Sequence, residues 1–224
     1  MESSTSFRIL VFSKTAAYRH ESIPAGIEAL TRYASTSGSF CVDASEDASL
    51  INTSDLKKYT VVVLLQTSGD FLDDSQVAAL KDWTQNGGGL VGIHCASSGM
   101  KSNTWYGGAV GAVFTAHPDP QDGIVKIEDT DHVITKGLPT KWEWFDEWYN
   151  FRSNPRGKVH VLMSIDEACY KGGAMGDDHP LAWCQENGGF RSFYTSLGHF
   201  SKAWDDDHFL GHVVRGIQWA ARRL

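Results

Sequence analysis

The first half of the chain alternates short apolar runs with longer amphipathic stretches. Residues 61–65 and 90–93 are apolar without polar alternation, a pattern typical of strands that are covered on both faces. Residues 8–12 and 40–42 are predicted to form two further strands. Strands that alternate with helices in this way predict an α/β fold, a doubly wound and mainly parallel sheet with helices on both faces.

Helix signals separate these strands. Ser22 is a candidate N-cap with Pro24 in the first helical turn, and a second helix is predicted from Asp74 to the glycines that begin at Gly87. The second half is less regular. Residues 123–128, 159–165 and 191–197 are predicted strands, residues 142–151 could be strand or loop, and residues 208–222 form a closing amphipathic helix.

Composition and charge narrow the class of protein. A chain of 224 residues fits one domain over 1–224, with residues 1–6 as a flexible extension. The net charge of −7 argues against nucleic acid or an anionic membrane as the main partner. The N-terminal residues resemble neither a signal peptide nor a membrane span, and the four cysteines form no C-x-x-C pair. We therefore expect a cytoplasmic protein with reduced thiols.

Several chemically useful side chains follow predicted strands. The segment 87–95 is a glycine-rich start, a buried strand and then a sharp turn that presents His94. Because the carboxyl ends of parallel strands meet at one edge of a sheet, we expect one pocket to collect these side chains. The candidates are His20, His94, His117, Asp146, Glu147 and His199.

Six short motifs are spread along the chain. They are Phe12-x-x-Thr15-x-x-Tyr18-Arg19-His20, Gly88-Gly89-Leu90-Val91-Gly92-Ile93-His94, Phe114-x-x-His117-Pro118, Asp146-Glu147-Trp148-Tyr149, Pro180-Leu181-Ala182-Trp183 and Tyr194-Thr195-x-Leu197-Gly198-His199. No single motif is specific, but the set is. With these motifs the chain resembles the ThuA-like (trehalose utilisation) family over about residues 8–220.

This resemblance implies a class I glutamine amidotransferase-like, flavodoxin-like fold. Amidotransferases hold a nucleophilic cysteine at the turn where this chain has His94, so amidotransferase activity is not expected. The family association implies catabolism of trehalose or a related glycoside. We expect a lyase or hydrolase that cleaves or rearranges a 3-oxo glycoside, which a partner sugar dehydrogenase would have oxidised. A ketone acidifies the neighbouring C–H, so an imidazole base could start an elimination.

Each candidate has an expected role. His94 is expected to act as base or metal ligand with His199 as its partner and Glu147 as acid, and His20 lies in the same catalytic group. His94, His117 and His199 together could hold a divalent metal such as zinc. One carboxylate of the Asp146–Glu147 pair is expected to be structural. The candidate substrate contacts are Tyr18, Arg19, Asp146, Trp105 and Trp183.

Other functions and roles remain open from the sequence. The chain could be a sugar-binding or regulatory module without turnover, or a cysteine hydrolase that uses Cys95 with His199. Trp105 and Trp204 could cover the pocket or form a contact between copies in a homo-oligomer.

Overall fold

A computed structural model describes residues 6–224, so the expected extension over residues 1–6 falls almost entirely outside the described part. The helices are α1 (Ile23–Ser37), α2 (Thr53–Leu56), α3 (Asp74–Gln85), α4 (Thr104–Val110) and α5 (Asp207–Ala220). The strands are β1 (Phe7–Phe12), β2 (Phe40–Ser45), β3 (Val61–Leu65), β4 (Gly89–Ile93), β5 (Phe114–Ala116), β6 (Gln121–Ile127), β7 (Lys141–Asp146), β8 (Asn150–Phe151), β9 (His160–Ile165), β10 (His179–Asn187) and β11 (Phe190–Thr195).

Nine strands form one sheet in the order β2-β1-β3-β4-β11-β10-β9-β6-β7. The first five pair in parallel, in the strand order of flavodoxin-like folds, which confirms the predicted α/β class. The remaining four extend the sheet by antiparallel pairing. β6 explains the weaker sequence pattern there, since its residues alternate between buried and solvent-facing positions.

The helices cover both faces of the parallel strands. Alternate residues such as Ile9 and Val63 pack with α1 and α5, whereas Leu10 and Val62 pack against α2, α3 and α4 on the other face. Two apolar cores therefore lie on either side of the sheet. Within residues 6–224, no helix has both the length and the apolar character that crossing a membrane requires.

The direction of the strands brings distant segments to one edge. Four successive antiparallel pairings, from β11 through β10, β9 and β6 to β7, return β7 to the direction of β11. The carboxyl ends of β4, β11 and β7 consequently lie at the same edge. His94, His199 and Glu147 follow these three strand ends.

Candidate functional site

His94 begins the turn directly after the central strand β4. Its backbone φ is +50°, in the left-handed region that non-glycine residues rarely adopt, and it opens a short 3₁₀ turn, His94–Ser98. The side chain is fully buried. This geometry confirms the sharp turn expected from the glycine-rich segment, and it places the imidazole in the protein interior rather than at the surface.

Two contacts fix the orientation of the His94 ring. Nδ1 lies 2.6 Å from the carbonyl oxygen of Ser196, so Nδ1–H donates to that carbonyl. The lone pair of Nε2 then faces the pocket, where the Tyr149 hydroxyl lies 2.8 Å away. A backbone carbonyl that holds one ring nitrogen in this way is the usual arrangement behind a histidine ligand or base.

His199 is positioned through its backbone. The Asp146 carboxylate accepts hydrogen bonds from the amides of Gly198, at 2.8 Å, and His199, at 3.2 Å. The Ser22 hydroxyl donates to the His199 carbonyl oxygen at 2.6 Å. Ser22 is the N-cap residue of α1, as predicted, but its side chain makes no capping bond because it is committed to His199 and Gln66.

Three potential donor atoms form a nearly equilateral triangle. His94 Nε2 lies 3.4 Å from Glu147 Oε2, His199 Nδ1 lies 3.2 Å from the same oxygen, and the two ring nitrogens are 3.3 Å apart. Ligands about 2.0–2.1 Å from a tetrahedral zinc ion are separated by about 3.3–3.4 Å. The triangle therefore has the size of one face of a tetrahedral metal site.

His20 completes the group. One ligand atom each from His20, His94, Glu147 and His199 lies within 4.8 Å of all the others. His20 is 4% exposed, its Nδ1 has no hydrogen-bond partner, and its ring lies 4.8 Å from that of His94. Burial and the neighbouring His94 lower the pKa of His20 to about 3, so its imidazole is neutral and able to coordinate.

The pKa of the Glu147 carboxyl is lowered, whereas the expected role as an acid requires a raised pKa. Burial opposes ionisation of this carboxyl, but the hydrogen bond from His199 outweighs it and holds the pKa of Glu147 well below its usual range. Burial also lowers the pKa of His199, and its hydrogen bond to Glu147 reverses the direction and raises it. A lowered pKa favours the carboxylate form of Glu147 near neutral pH, which argues against its expected role as an acid.

His117 lies beside the cluster and outside the donor triangle. Its Nε2 is 3.4 Å from Glu147 Oε1, the oxygen that the triangle does not use, and its side chain is one-third exposed. Its ring stacks on Tyr149, with centroids 5.7 Å apart. The predicted metal set of His94, His117 and His199 is therefore corrected: His20 and Glu147 join the group and His117 leaves it.

The expected substrate contacts divide into three groups. Tyr18 is 63% exposed and packs edge-on against His20, so it lies at the pocket mouth. Arg19 is also exposed, but it forms an ion pair with Glu46 at 2.6 Å. Trp105 is half-buried on α4 and packs against the core formed by α2, α3 and α4. These contacts hold Arg19 and Trp105 outside the histidine cluster.

Two other predicted contacts are interior residues, and these predictions are wrong. Trp183 is fully buried, stacks on Tyr194 and donates its indole N–H to the Val110 carbonyl oxygen. Asp146 is fully buried and structural, because backbone amides and the Trp144 indole occupy its oxygens. Trp204, expected at the surface, also lies in the core.

Cys95 is unsuited to nucleophilic catalysis. The residue is 5% exposed, and burial raises the pKa of its thiol to about 11. A thiol with such a pKa is almost entirely protonated near neutral pH, whereas nucleophilic cysteines react as thiolates. The cysteine hydrolase alternative is not supported.

Sequence analysis missed several residues that shape the site. Tyr149 contributes the hydroxyl near His94 Nε2, and Ser196 contributes the carbonyl that orients the His94 ring. Gln66 contributes a side-chain amide that donates to the Gly198 carbonyl oxygen. Gln66 directly follows β3 and also has a positive φ, of 53°. Its place after an apolar strand was the one available signal, since the other two contacts depend on pairing of distant segments.

The fold and site define an α/β protein with a glutamine amidotransferase-like fold and a histidine-rich cluster at the carboxyl edge of its sheet. Residues 8–220 match the family model ThuA, described as trehalose utilisation, and the chain belongs to this family. No curated protein sequence matches the chain.

Solved structures agree with this assignment. A ThuA-like protein from Bacteroides uniformis has a TM-score of 0.82 and 26% identity, with 96% of this chain and 91% of that chain covered. A ThuA-like protein from Parabacteroides merdae has a TM-score of 0.80 and 23% identity, with coverages of 96% and 90%. A cytoplasmic protein from Salmonella typhimurium shares the fold at a TM-score of 0.65 and 13% identity, with coverages of 94% and 98%.

Proposed function

We propose that this protein is a metal-dependent enzyme of sugar catabolism that cleaves a 3-oxo glycoside. The observation that carries the proposal is the donor group of three imidazoles and one carboxylate at the carboxyl edge of the sheet. Its family, trehalose utilisation, supports a sugar substrate. The substrate and the reaction are our inference from these two findings together.

The donor set suits a divalent ion such as zinc. Neutral imidazoles and a carboxylate are ordinary ligands for zinc and for other divalent transition metals. The unpartnered Nδ1 of buried His20 supports this fit, since a buried polar atom without a partner is costly. His94 is assigned as a ligand rather than a base, because its Nε2 belongs to the triangle. A bound divalent ion would supply Lewis-acid polarisation of the sugar carbonyl.

The remaining residues provide proton transfer. The His117 side chain is partly exposed and its Nε2 lies beside Glu147. His117 can therefore contact a bound substrate and exchange protons with solvent. In the proposed elimination, His117 takes the proton from C2, next to the 3-oxo group, while the C1–C2 double bond forms and the C1–O bond breaks. The departing oxygen then receives that proton. The products are an unsaturated 3-oxo sugar and a free alcohol, and a separate sugar dehydrogenase must supply the ketone.

A second candidate function is a sugar-binding or regulatory module without a metal. It is favoured by the Tyr149 hydroxyl, which can donate to His94 Nε2, and by the His199–Glu147 contact, which can stand alone as an ion pair. In this state every atom of the triangle has a protein partner. This module would be stabilised by sugar through mass action and would show no turnover.

Elemental analysis by mass spectrometry and a 3-oxo-trehalose cleavage assay would test the proposal on untagged protein. We expect near-stoichiometric divalent metal in the wild type, and loss of metal and of turnover in His94→Ala and His199→Ala. His160→Ala is the matched control, because that side chain is half-exposed and pairs with Asp129 outside the pocket. An active metal-free wild type would refute the metal, and full activity of His94→Ala would refute the site.

A further inference from the structure

Exposed aromatic side chains lie beside the histidine cluster. Among the phenylalanine, tyrosine and tryptophan side chains of residues 6–224, two are exposed, namely Tyr18 at 63% and Phe145 at 49%. Tyr18 packs against His20. Phe145 packs against Phe200, with ring centroids 5.4 Å apart, and Phe200 packs edge-on against His199 at 4.4 Å. Exposed aromatic surface of this kind often marks a binding site.

Phe145 and Phe200 line an aromatic groove that adjoins the histidine cluster, because Phe200 packs against both Phe145 and His199. Its aromatic lining also includes Trp142 and Trp144, whose centroids are 4.6 Å apart, and its volume is about 510 Å³. Ligand sites commonly have volumes of about 300–1,000 Å³. Charged groups of Glu143, Lys202 and Asp206 line the same groove. Aromatic faces with a few polar groups are a typical lining for a small polar-edged ligand.

We infer that this groove binds the second pyranose ring of a disaccharide, the ring that departs when the glycosidic bond breaks. The inference rests on the proposed function and adds the class of leaving group. The negatively polarised faces of Phe145 and Phe200 suit the C–H faces of a sugar ring. The carboxylates and the ammonium group can bond to its hydroxyls. The contact of Phe200 with His199, with ring centroids 4.4 Å apart, would place this ring next to the one at the cluster.

A second copy of the chain is the alternative occupant of this groove. The groove lies along β7, one of the two edge strands of the sheet, and another copy of the chain could pair there. Three charged side chains in the groove favour a hydroxyl-bearing ligand, because they would lose water in an apolar contact between copies. A sugar ring keeps such groups hydrogen-bonded.

Isothermal titration with trehalose and with glucose tests the groove without requiring turnover. We expect the wild type to bind trehalose about tenfold more tightly than glucose, since one stacked aromatic contact corresponds to a factor of up to about ten. Phe145→Ala should lower the trehalose affinity to that of glucose and leave the glucose affinity unchanged. Phe145→Tyr, which keeps the ring, should retain the preference.

Val133→Ala is the matched control, because Val133 is also an exposed apolar residue and lies outside the groove. It should leave both affinities unchanged. Equal affinities for the two sugars in the wild type, or an undiminished preference in Phe145→Ala, would overturn the inference. Light scattering of the wild type and of Phe145→Ala would show whether Phe145 instead joins two copies of the chain. A wild-type dimer that Phe145→Ala dissociates would also overturn the inference. Methyl 3-oxo-glucoside has no second sugar ring. Its cleavage by the wild type would show that the proposed function stands even where the groove inference fails.

Discussion

At the residue scale, the adjacent carboxylates Asp146 and Glu147 have different roles. Asp146 ends β7 and points into the protein, where it receives hydrogen bonds from Trp144, Glu147, Gly198 and His199. Glu147, the next residue, reaches the donor triangle. A buried carboxyl group is tolerated when hydrogen-bond donors surround it, and through these bonds Asp146 holds the loop that carries His199.

Replacement of Asp146 should loosen that loop. Asp146→Ala leaves the buried amides of Gly198 and His199 without acceptors, and each unpaired buried donor costs about 1–3 kcal/mol. We expect the free energy of unfolding to fall by about 3 kcal/mol, measured by urea denaturation. Asp122→Ala, at an exposed position of β6, is the control and should change stability by less than about 0.5 kcal/mol. Equal effects of the two changes would contradict the assigned role of Asp146.

At the element scale, small residues set how closely the helices approach the sheet. Gly216 lies within α5 at a point where an added Cβ would meet a ring carbon of Phe193 at 2.1 Å. Gly108 lies within α4, and an added Cβ there would have nothing within 4 Å. The first glycine is required by packing against β11. The second occupies an exposed position of α4 and weakens that helix, because glycine is a poor helix former.

The same substitution should therefore act in opposite directions at these two sites. Gly216→Ala should lower the free energy of unfolding by about 1–3 kcal/mol, because overpacking forces α5 away from the sheet. Gly108→Ala should raise it by about 0.5–1 kcal/mol through helix propensity alone. Thermal and urea denaturation of both variants would measure this. A stabilised Gly216→Ala protein would show that α5 can shift without cost.

At the scale of the whole molecule, an ion-pair network ties the antiparallel half together. Arg156 makes hydrogen bonds of 2.8 Å to both oxygens of Glu128, just after β6, and one of 2.7 Å to Asp178, just before β10. These contacts with Arg156 hold the pKa values of both carboxyls below their usual range. The network joins segments that are distant in sequence, but its members are partly exposed, so salt weakens it.

This network predicts a pH dependence of stability. Each carboxyl has a lower pKa in the folded protein, so its contribution is fully present above the ordinary values of 4.5 and 3.8 and is lost as the pH falls through the folded values. Wild type should therefore be more stable than Arg156→Gln at pH 6, and the difference should shrink below about pH 4.5. Urea denaturation at both pH values would measure it. A difference that stays constant with pH would contradict this explanation.

The local pattern of apolar residues was sufficient to predict the strands of the parallel half of the sheet. The strands over residues 61–65 and 89–93 are continuous apolar runs because both of their faces are covered, and the turn at His94 follows from the end of such a run. β10, by contrast, was not predicted as a strand. Its partners β9 and β11 approach it by antiparallel pairing, and that pairing is a property of the assembled sheet.

The sequence by itself determined the α/β class and the family, and it predicted that His94, Glu147 and His199 lie near one another at one edge of the sheet. Only the tertiary structure decided which fourth residue joins them: His20 is buried against His94, and His117 lies beyond Glu147. It also decided that Trp183 is core and Phe145 is surface. The physical reason is that periodicity and turn signals act between near neighbours, whereas burial and distances between donor atoms depend on how strands more than a hundred residues apart are aligned.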